Sequence, residues 1–190
     1  ADGRLVMGED TGQPDVPPGW GLFSPEGEQV GKLAAPGFTA QPEPFGCAVD
    51  AQGRLFTTEV GNPLQVPGNG QLLLWFPPYE GYPGAPGTYP NGEYSANYCV
   101  LADDIGAATG IAIDGDDVLV SSPRLSAVLR FSGTWPTGPD AEGGCGRTNA
   151  IGSPLVDEER VTRSTFISDA NASSTASGLA RGPNGNWFVS

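Results

Sequence analysis

A chain of 190 residues carrying 9 basic against 22 acidic side chains, net charge −13, repels phosphate at long range, which argues against nucleic acid and acidic membrane surfaces as partners. Histidine is absent, so a His general base, a Ser-His-Asp triad and His-ligated metal sites are excluded for these residues, while carboxylates, amides and backbone oxygens remain for a hard cation such as Ca2+. The 29 glycines and 19 prolines gather between short apolar runs, the pattern of many short strands joined by turns, and the class read from it is all-β.

Taken in order, residues 2–8 read as a strand, 9–18 as a polar loop, 20–23 and 29–33 as two further strands around the turn 25–28. Residues 45–59 read as a hairpin: Cys47-Ala-Val49 and Leu55-Phe-Thr-Thr58 are β-prone, and Asp50-Ala-Gln-Gly53 is turn chemistry in which Gly53 can take positive φ. A strand over 71–76, a long insertion over 77–94 and a strand over 98–102 follow. Next come strands over 110–114, 118–121 and 126–132, a second insertion over 133–162 and a strand over 163–168. The segment 178–190 reads as one more hairpin.

The chain repeats itself. Gly46-Cys-Ala-Val-Asp50 recurs as Gly110-Ile-Ala-Ile-Asp114 and, weakened, as Gly178-Leu-Ala-Arg-Gly182. Gly53-Arg-Leu-Phe-Thr-Thr-Glu59 recurs as Asp117-Val-Leu-Val-Ser-Ser-Pro123 and Gly185-Asn-Trp-Phe-Val-Ser190, and a fourth copy opens the chain as Gly3-Arg-Leu-Val-Met-Gly-Glu9. Gly46 to Arg54, Gly110 to Val118 and Gly178 to Asn186 are each eight residues apart, so the three hairpins are expected to be gapless equivalents. On that count Pro123 stands in the third copy where the first two have Glu9 and Glu59. Four antiparallel strands per unit, repeated, predict a β-propeller. Its expected divisions are 2–35 (strands two to four of one blade), 44–102, 108–168 and the start of a fourth blade at 177–190, about three blades of a larger ring that a second chain or further sequence completes.

Phe45-Gly-Cys-Ala-Val-Asp-Ala-Gln-Gly-Arg-Leu-Phe-Thr-Thr-Glu59 and Thr109-Gly-Ile-Ala-Ile-Asp114 resemble the blade signature shared by NHL-repeat proteins and the six-bladed propellers similar to SMP-30 and gluconolactonase. The likeness covers the hairpins of two blades and, in part, the last copy, and it leaves out the insertions. It implies a six-bladed ring and two functional readings: a non-catalytic binding or scaffold module, or a divalent-metal-dependent hydrolase of lactones or related esters. In the hydrolase reading the acidic rim supplies ligands, and the resemblance points to Glu9 and Glu59, with Asn62 and Asp104 nearby, as candidates for Ca2+. The other reading of these side chains is solvated turn residues. Asp114-Gly-Asp-Asp117 is read as a hairpin turn.

The opposite rim carries the insertions. Tyr79, Tyr82, Tyr89 and Tyr94, among prolines and glycines, and Trp135 form a candidate surface for a sugar ring, another small molecule or a protein partner; the competing reading is a loop packed over the outer edge of a blade. Cys47 lies on an apolar hairpin and reads as a small buried side chain. Cys99 and Cys145 fall in peripheral segments, where pairing and free thiols are both open. No apolar run reaches the length of a membrane span, and scarce charge with a single lysine, Lys32, leans towards an extracellular or periplasmic protein.

Overall fold

The computed structural model describes residues 5–9, 19–33, 44–61, 70–77, 79, 88–89, 92–95, 97–150, 152–168 and 177–190. The strands are β1 (Leu5–Glu9), β2 (Gly19–Phe23), β3 (Gln29–Leu33), β4 (Pro44–Val49), β5 (Leu55–Glu59) and β6 (Gln71–Trp75). They continue as β7 (Thr88–Tyr89), β8 (Gly92–Ser95), β9 (Tyr98–Ala102), β10 (Ile111–Asp114), β11 (Asp117–Ser122) and β12 (Ala127–Gly133). The last are β13 (Arg147–Thr148), β14 (Pro154–Leu155), β15 (Val161–Ser168), β16 (Leu179–Arg181) and β17 (Trp187–Val189). A single 3-10 turn, Pro123–Leu125, interrupts them, and no α-helix occurs among the described residues, so the fold is all-β.

Three hairpin turns close in the same way. Asp50 N–H donates to Arg54 O at 3.1 Å while Gly53 N–H donates to Asp50 O at 3.0 Å, and Gly53 sits at φ +81°. Ser24, Gly27 and Glu28 repeat that pair of bonds between β2 and β3, as do Gly182, Gly185 and Asn186 between β16 and β17. These are three-residue loops that need a left-handed residue at their third position, which glycine adopts without steric cost. The turn between β10 and β11 breaks the series. Asp114 pairs directly with Asp117, leaving a two-residue loop with Gly115 at φ +66°.

The equal spacing in sequence is therefore not an equality in space. Val49 pairs with Leu55, but Ile113 pairs with Val118, so Val118 is the counterpart of Leu55 and not of Arg54. The expected gapless equivalence fails by one residue in the third copy, because Asp-Gly supplies the tighter turn. Ser122, rather than Pro123, then occupies the place of Glu59.

The strands group into sheets. In sheet I, β1, β2 and β3 are antiparallel, and β8, with β7 beyond it, joins β3 in parallel. Sheet II has the antiparallel order β4, β5, β6, β9, and β14, with β13 beyond, joins β9 in parallel. Sheet III is β10, β11, β12, β15, and sheet IV is β16 with β17. Both insertions thus do the same thing: each folds a short hairpin onto the outer strand of the preceding sheet, covering an edge that would otherwise expose unpaired backbone.

Alternation decides which residues meet between sheets. Leu55, Leu73, Trp75, Tyr98 and Val100 of sheet II face sheet I and pack on Trp20, Leu22 and Leu33. The intervening Phe56, Leu72, Leu74, Cys99 and Leu101 face sheet III and pack on Val118, Val120, Leu129 and Phe131. Sheet II is covered on both faces, and β6 is buried along its whole length. At roughly 1.5–3 kcal/mol per buried large apolar side chain, this layer is the main stabilising element. Sheet IV adds Trp187, edge-on to Phe166 of sheet III at 6.1 Å, and Arg181, whose guanidinium pairs with Asp114 at 3.1 Å.

The first strands of successive hairpins adjoin, β4 against β10 and β10 against β16, and β1, the counterpart of β5, lies against β4. A Cβ added at Gly46 would stand 2.9 Å from Thr109 O and 2.8 Å from Ile111 Cγ2, and one at Gly110 would stand 2.3 Å from Ser177 O. The same backbone-to-carbonyl approach recurs between successive units, and only a missing side chain permits it. β1 runs opposite to β4, since the Cys47 thiol donates to Val6 O at 3.3 Å while Gly8 approaches Phe45 O. Burial pushes the Cys47 thiol pKa above its ordinary value.

Candidate functional site

Between the β4–β5 turn and the starts of the two insertions, at Pro77 and Trp135, a cleft of about 310 Å³ opens. Leu74, Trp75 and Phe76 form its apolar floor; Tyr79 and Pro77 line one wall, and Trp135, Pro136 and Thr137 the other. Gln52, Gly53 and Arg54 of the β4–β5 turn complete it. That size is at the small end of ordinary ligand pockets.

Each wall is fixed by the fold. Trp135 is only 6 % exposed; its ring stands edge-on to Phe56 at 5.2 Å and its Nε1–H donates to Asp116 O at 3.0 Å. Trp75 is held by its Nε1–H donating to Thr57 Oγ1 at 2.8 Å and by Tyr98, whose ring centroid is 5.3 Å away. Tyr98 O–H donates in turn to Ser153 Oγ at 2.9 Å, and burial, partly offset by that bond, raises its phenol pKa. Arg54 is preset by its own turn: Asp50 accepts from the Arg54 side chain and from the backbone N–H groups of Gln52 and Arg54, both at 2.9 Å. The guanidinium carbon lies 5.8 Å from the Trp135 ring centroid, a cation–π arrangement that holds the charge at the cleft wall.

Among the lining residues none is a carboxylate, histidine or cysteine, and the Arg54 charge is matched by Asp50 outside the cleft. Such a lining offers flat apolar surface, a guanidinium and amide and hydroxyl groups. It suits holding a small ring with oxygen substituents more than transferring a proton.

Of the residues expected at this rim, the structure brings Tyr79 and Trp135 together. Tyr89 and Tyr94 are placed instead on the β7–β8 hairpin at the outer edge of sheet I, and Tyr82 lies outside the described residues. Trp135 is mostly interior, with its ring committed to Phe56 and Arg54. Sequence reasoning missed Asp50, Gln52 and Arg54. An acid opening the turn and an arginine closing it were the available signal.

At the opposite rim, Glu9 ends β1 and Glu59 ends β5, where it pairs with Pro44, the neighbour of the residue that Gly8 approaches. Asp104 lies at the same end, since Ile105 N–H donates to Gly70 O beside Gln71, the cross-strand partner of Glu59. Their chemistry differs. Glu59 is 4 % exposed and its Oε1 accepts from Gly61 N–H at 2.6 Å, whereas Asp104 is exposed at φ +58°. Asn62 lies outside the described residues. Gln71, opposite Glu59 and so on the same face, is 8 % exposed with no hydrogen-bond partner at Oε1. Among the described residues no three His, Cys, Asp or Glu side chains gather as a metal site.

Cys99 of β9 is joined by a disulfide to Cys145 in the second insertion, with Cα atoms 6.2 Å apart. It fastens sheet II to the segment that leads into β13 and β14. No family model, no curated protein and no solved structure matches this chain.

Proposed function

We propose that the chain is a run of NHL-like β-propeller blades acting as an extracellular or periplasmic binding module, with a sugar ring seated in the Tyr79–Trp135 cleft. The observation that carries this reading is the cleft lining itself: aromatic side chains and a preset guanidinium, with no carboxylate, histidine or cysteine among the residues that form it. The apolar C–H face of a pyranose stacks on the half-buried Tyr79 beside the edge of Trp135, and its hydroxyls accept from Arg54 and Gln52. The recurrent glycine-to-carbonyl approach between first strands supports a radial order of the sheets. The Cys99–Cys145 disulfide supports an oxidising compartment.

Saturation-transfer NMR with a panel of neutral and acidic mono- and disaccharides tests it. Ring protons of at least one member should saturate, and Tyr79→Ala should weaken that ligand about tenfold or more without changing the melting temperature. Silence across the panel, or binding indifferent to Tyr79→Ala, removes the reading.

A second reading, a divalent-cation-dependent hydrolase of lactones or related esters, is favoured by one observation, the buried Glu59 beside the unpaired Gln71 Oε1. Two oxygens on one face are the beginning of a hard-cation site, and Ca2+ there would polarise a carbonyl. Calorimetric titration with Ca2+ should give heat that Glu59→Gln abolishes; no heat in the unaltered chain ends this reading.

A further inference from the structure

The charged pair at the cleft is split between two environments. The Asp50 side chain is 2 % exposed and its carboxylate is taken up by the β4–β5 turn: Oδ1 accepts from the backbone N–H groups of Gln52 and Arg54, and Oδ2 accepts from Arg54 Nε. The Arg54 side chain is 29 % exposed, and its Nη2 donates to Gln52 Oε1 at 3.3 Å. Among the described residues nothing accepts from Arg54 Nη1. With its oxygen engaged by Arg54, the Gln52 amide has its nitrogen left to donate. The lining therefore presents a positive charge and an amide donor, and no carboxylate among the lining residues balances them.

We infer that the ligand of this cleft is a sugar acid, one pyranose ring bearing one carboxylate, with the ring on Tyr79, the carboxylate on Arg54 Nη1 and a neighbouring hydroxyl accepting from Gln52. The inference rests on the sugar-binding reading and narrows it. A hydrogen bond between two ionised groups is roughly twice as strong as a neutral one, so the open guanidinium nitrogen favours a carboxylate over a hydroxyl. A cationic ligand, which aromatic side chains would otherwise suit, meets the Arg54 charge instead. The net charge of −13 limits the size of the anion. Repulsion by the whole chain grows with each charge a ligand brings, so a single carboxylate held at contact distance is admitted and a polyanionic glycan is not. A cleft of about 310 Å³, small for a ligand pocket, likewise suits one ring.

Titrations followed by saturation-transfer NMR test this with matched probes: glucuronate against glucose and galacturonate against galactose, each as its methyl glycoside, together with the methyl ester of each acid. One acid should bind about tenfold to a hundredfold more tightly than its neutral partner and its ester, the ratio expected of one charge-assisted contact. Arg54→Gln should bring that acid down to the neutral sugar, while Tyr79→Ala weakens both alike. Because Arg54→Gln also removes a bond of the turn, Asp50→Asn supplies a gain that misfolding cannot imitate, and it decides alone if Arg54→Gln melts early. The new amide oxygen still accepts from the turn N–H groups, the competing charge is gone, and the acid should bind more tightly while the neutral sugar is unaffected. Equal affinity for acid, ester and neutral sugar, an acid preference that survives Arg54→Gln, or an Asp50→Asn variant that binds the acid no better overturns the inference and leaves the sugar-binding reading in place. Silence from every probe removes that reading, and the inference with it.

Discussion

Phe56 and Phe188 hold the same place in their hairpins, yet the first is completely buried and the second is 61 % exposed. Sheet II lies between two neighbours, and sheet IV has one. The contrast shows that the same place in a hairpin is buried only where a neighbouring sheet covers it, so that stability belongs to the junctions between sheets more than to the hairpins. Removing matched side chains is the most direct way to test it. Phe56→Ala should cost about 3–5 kcal/mol in urea unfolding, and Phe188→Ala should stay within about 0.5 kcal/mol. Equal costs would mean that sheet IV is as firmly integrated as sheet II.

The next effect separates the two covered edges. Cys145→Ser removes a bond spanning 46 residues in sequence and should lower stability by about 2–4 kcal/mol. Hydrogen exchange should then quicken around 147–155 while β7 and β8, which share no disulfide with that region, keep their protection. Uniform loss across both hairpins would contradict that separation.

Close approach between sheets gives a smaller effect. Gly46→Ala forces a methyl group against Thr109 O and Ile111, and should cost about 1–3 kcal/mol by thermal unfolding. Little or no change would show that the first strands can part without penalty.

The smallest effect is a pH response confined to the junction of sheets I and II, where Cys47 and Tyr98 both lie. Burial raises both groups in the folded chain. Their contribution is full below the ordinary thiol and phenol values, and it disappears as the pH climbs through the folded ones, because the unfolded chain releases those protons first. Melting temperature should fall between about pH 8 and 11, and Cys47→Ala should flatten the earlier part of that fall.

Strand positions were legible because β-branched runs alternate with glycine turns: 29–33 was read with the limits of β3, and the 45–59 hairpin contains β4 and β5 nearly end to end. At the third turn, matching letters at equal spacing conceal a shorter loop, for which Asp114-Gly115 is the signal. The strands β8 and β14 were not legible. Each is set by pairing to a distant outer strand, and two to four residues hold too little pattern to announce that. At the cleft, Tyr79 and Trp135 stood out as aromatics among prolines, whereas Arg54 looked like ordinary turn filler. Its meeting with Trp135 arises only when sheets II and III pack.

The link between Cys99 and Cys145 also has a bearing on what a protease would leave behind. Arg124 is exposed within the bridged stretch. Tryptic cleavage confined to the bond after it would give two pieces, 1–124 and 125–190, that migrate as one species until a reductant frees them, so nicking there breaks the backbone and adds one water without letting the pieces separate.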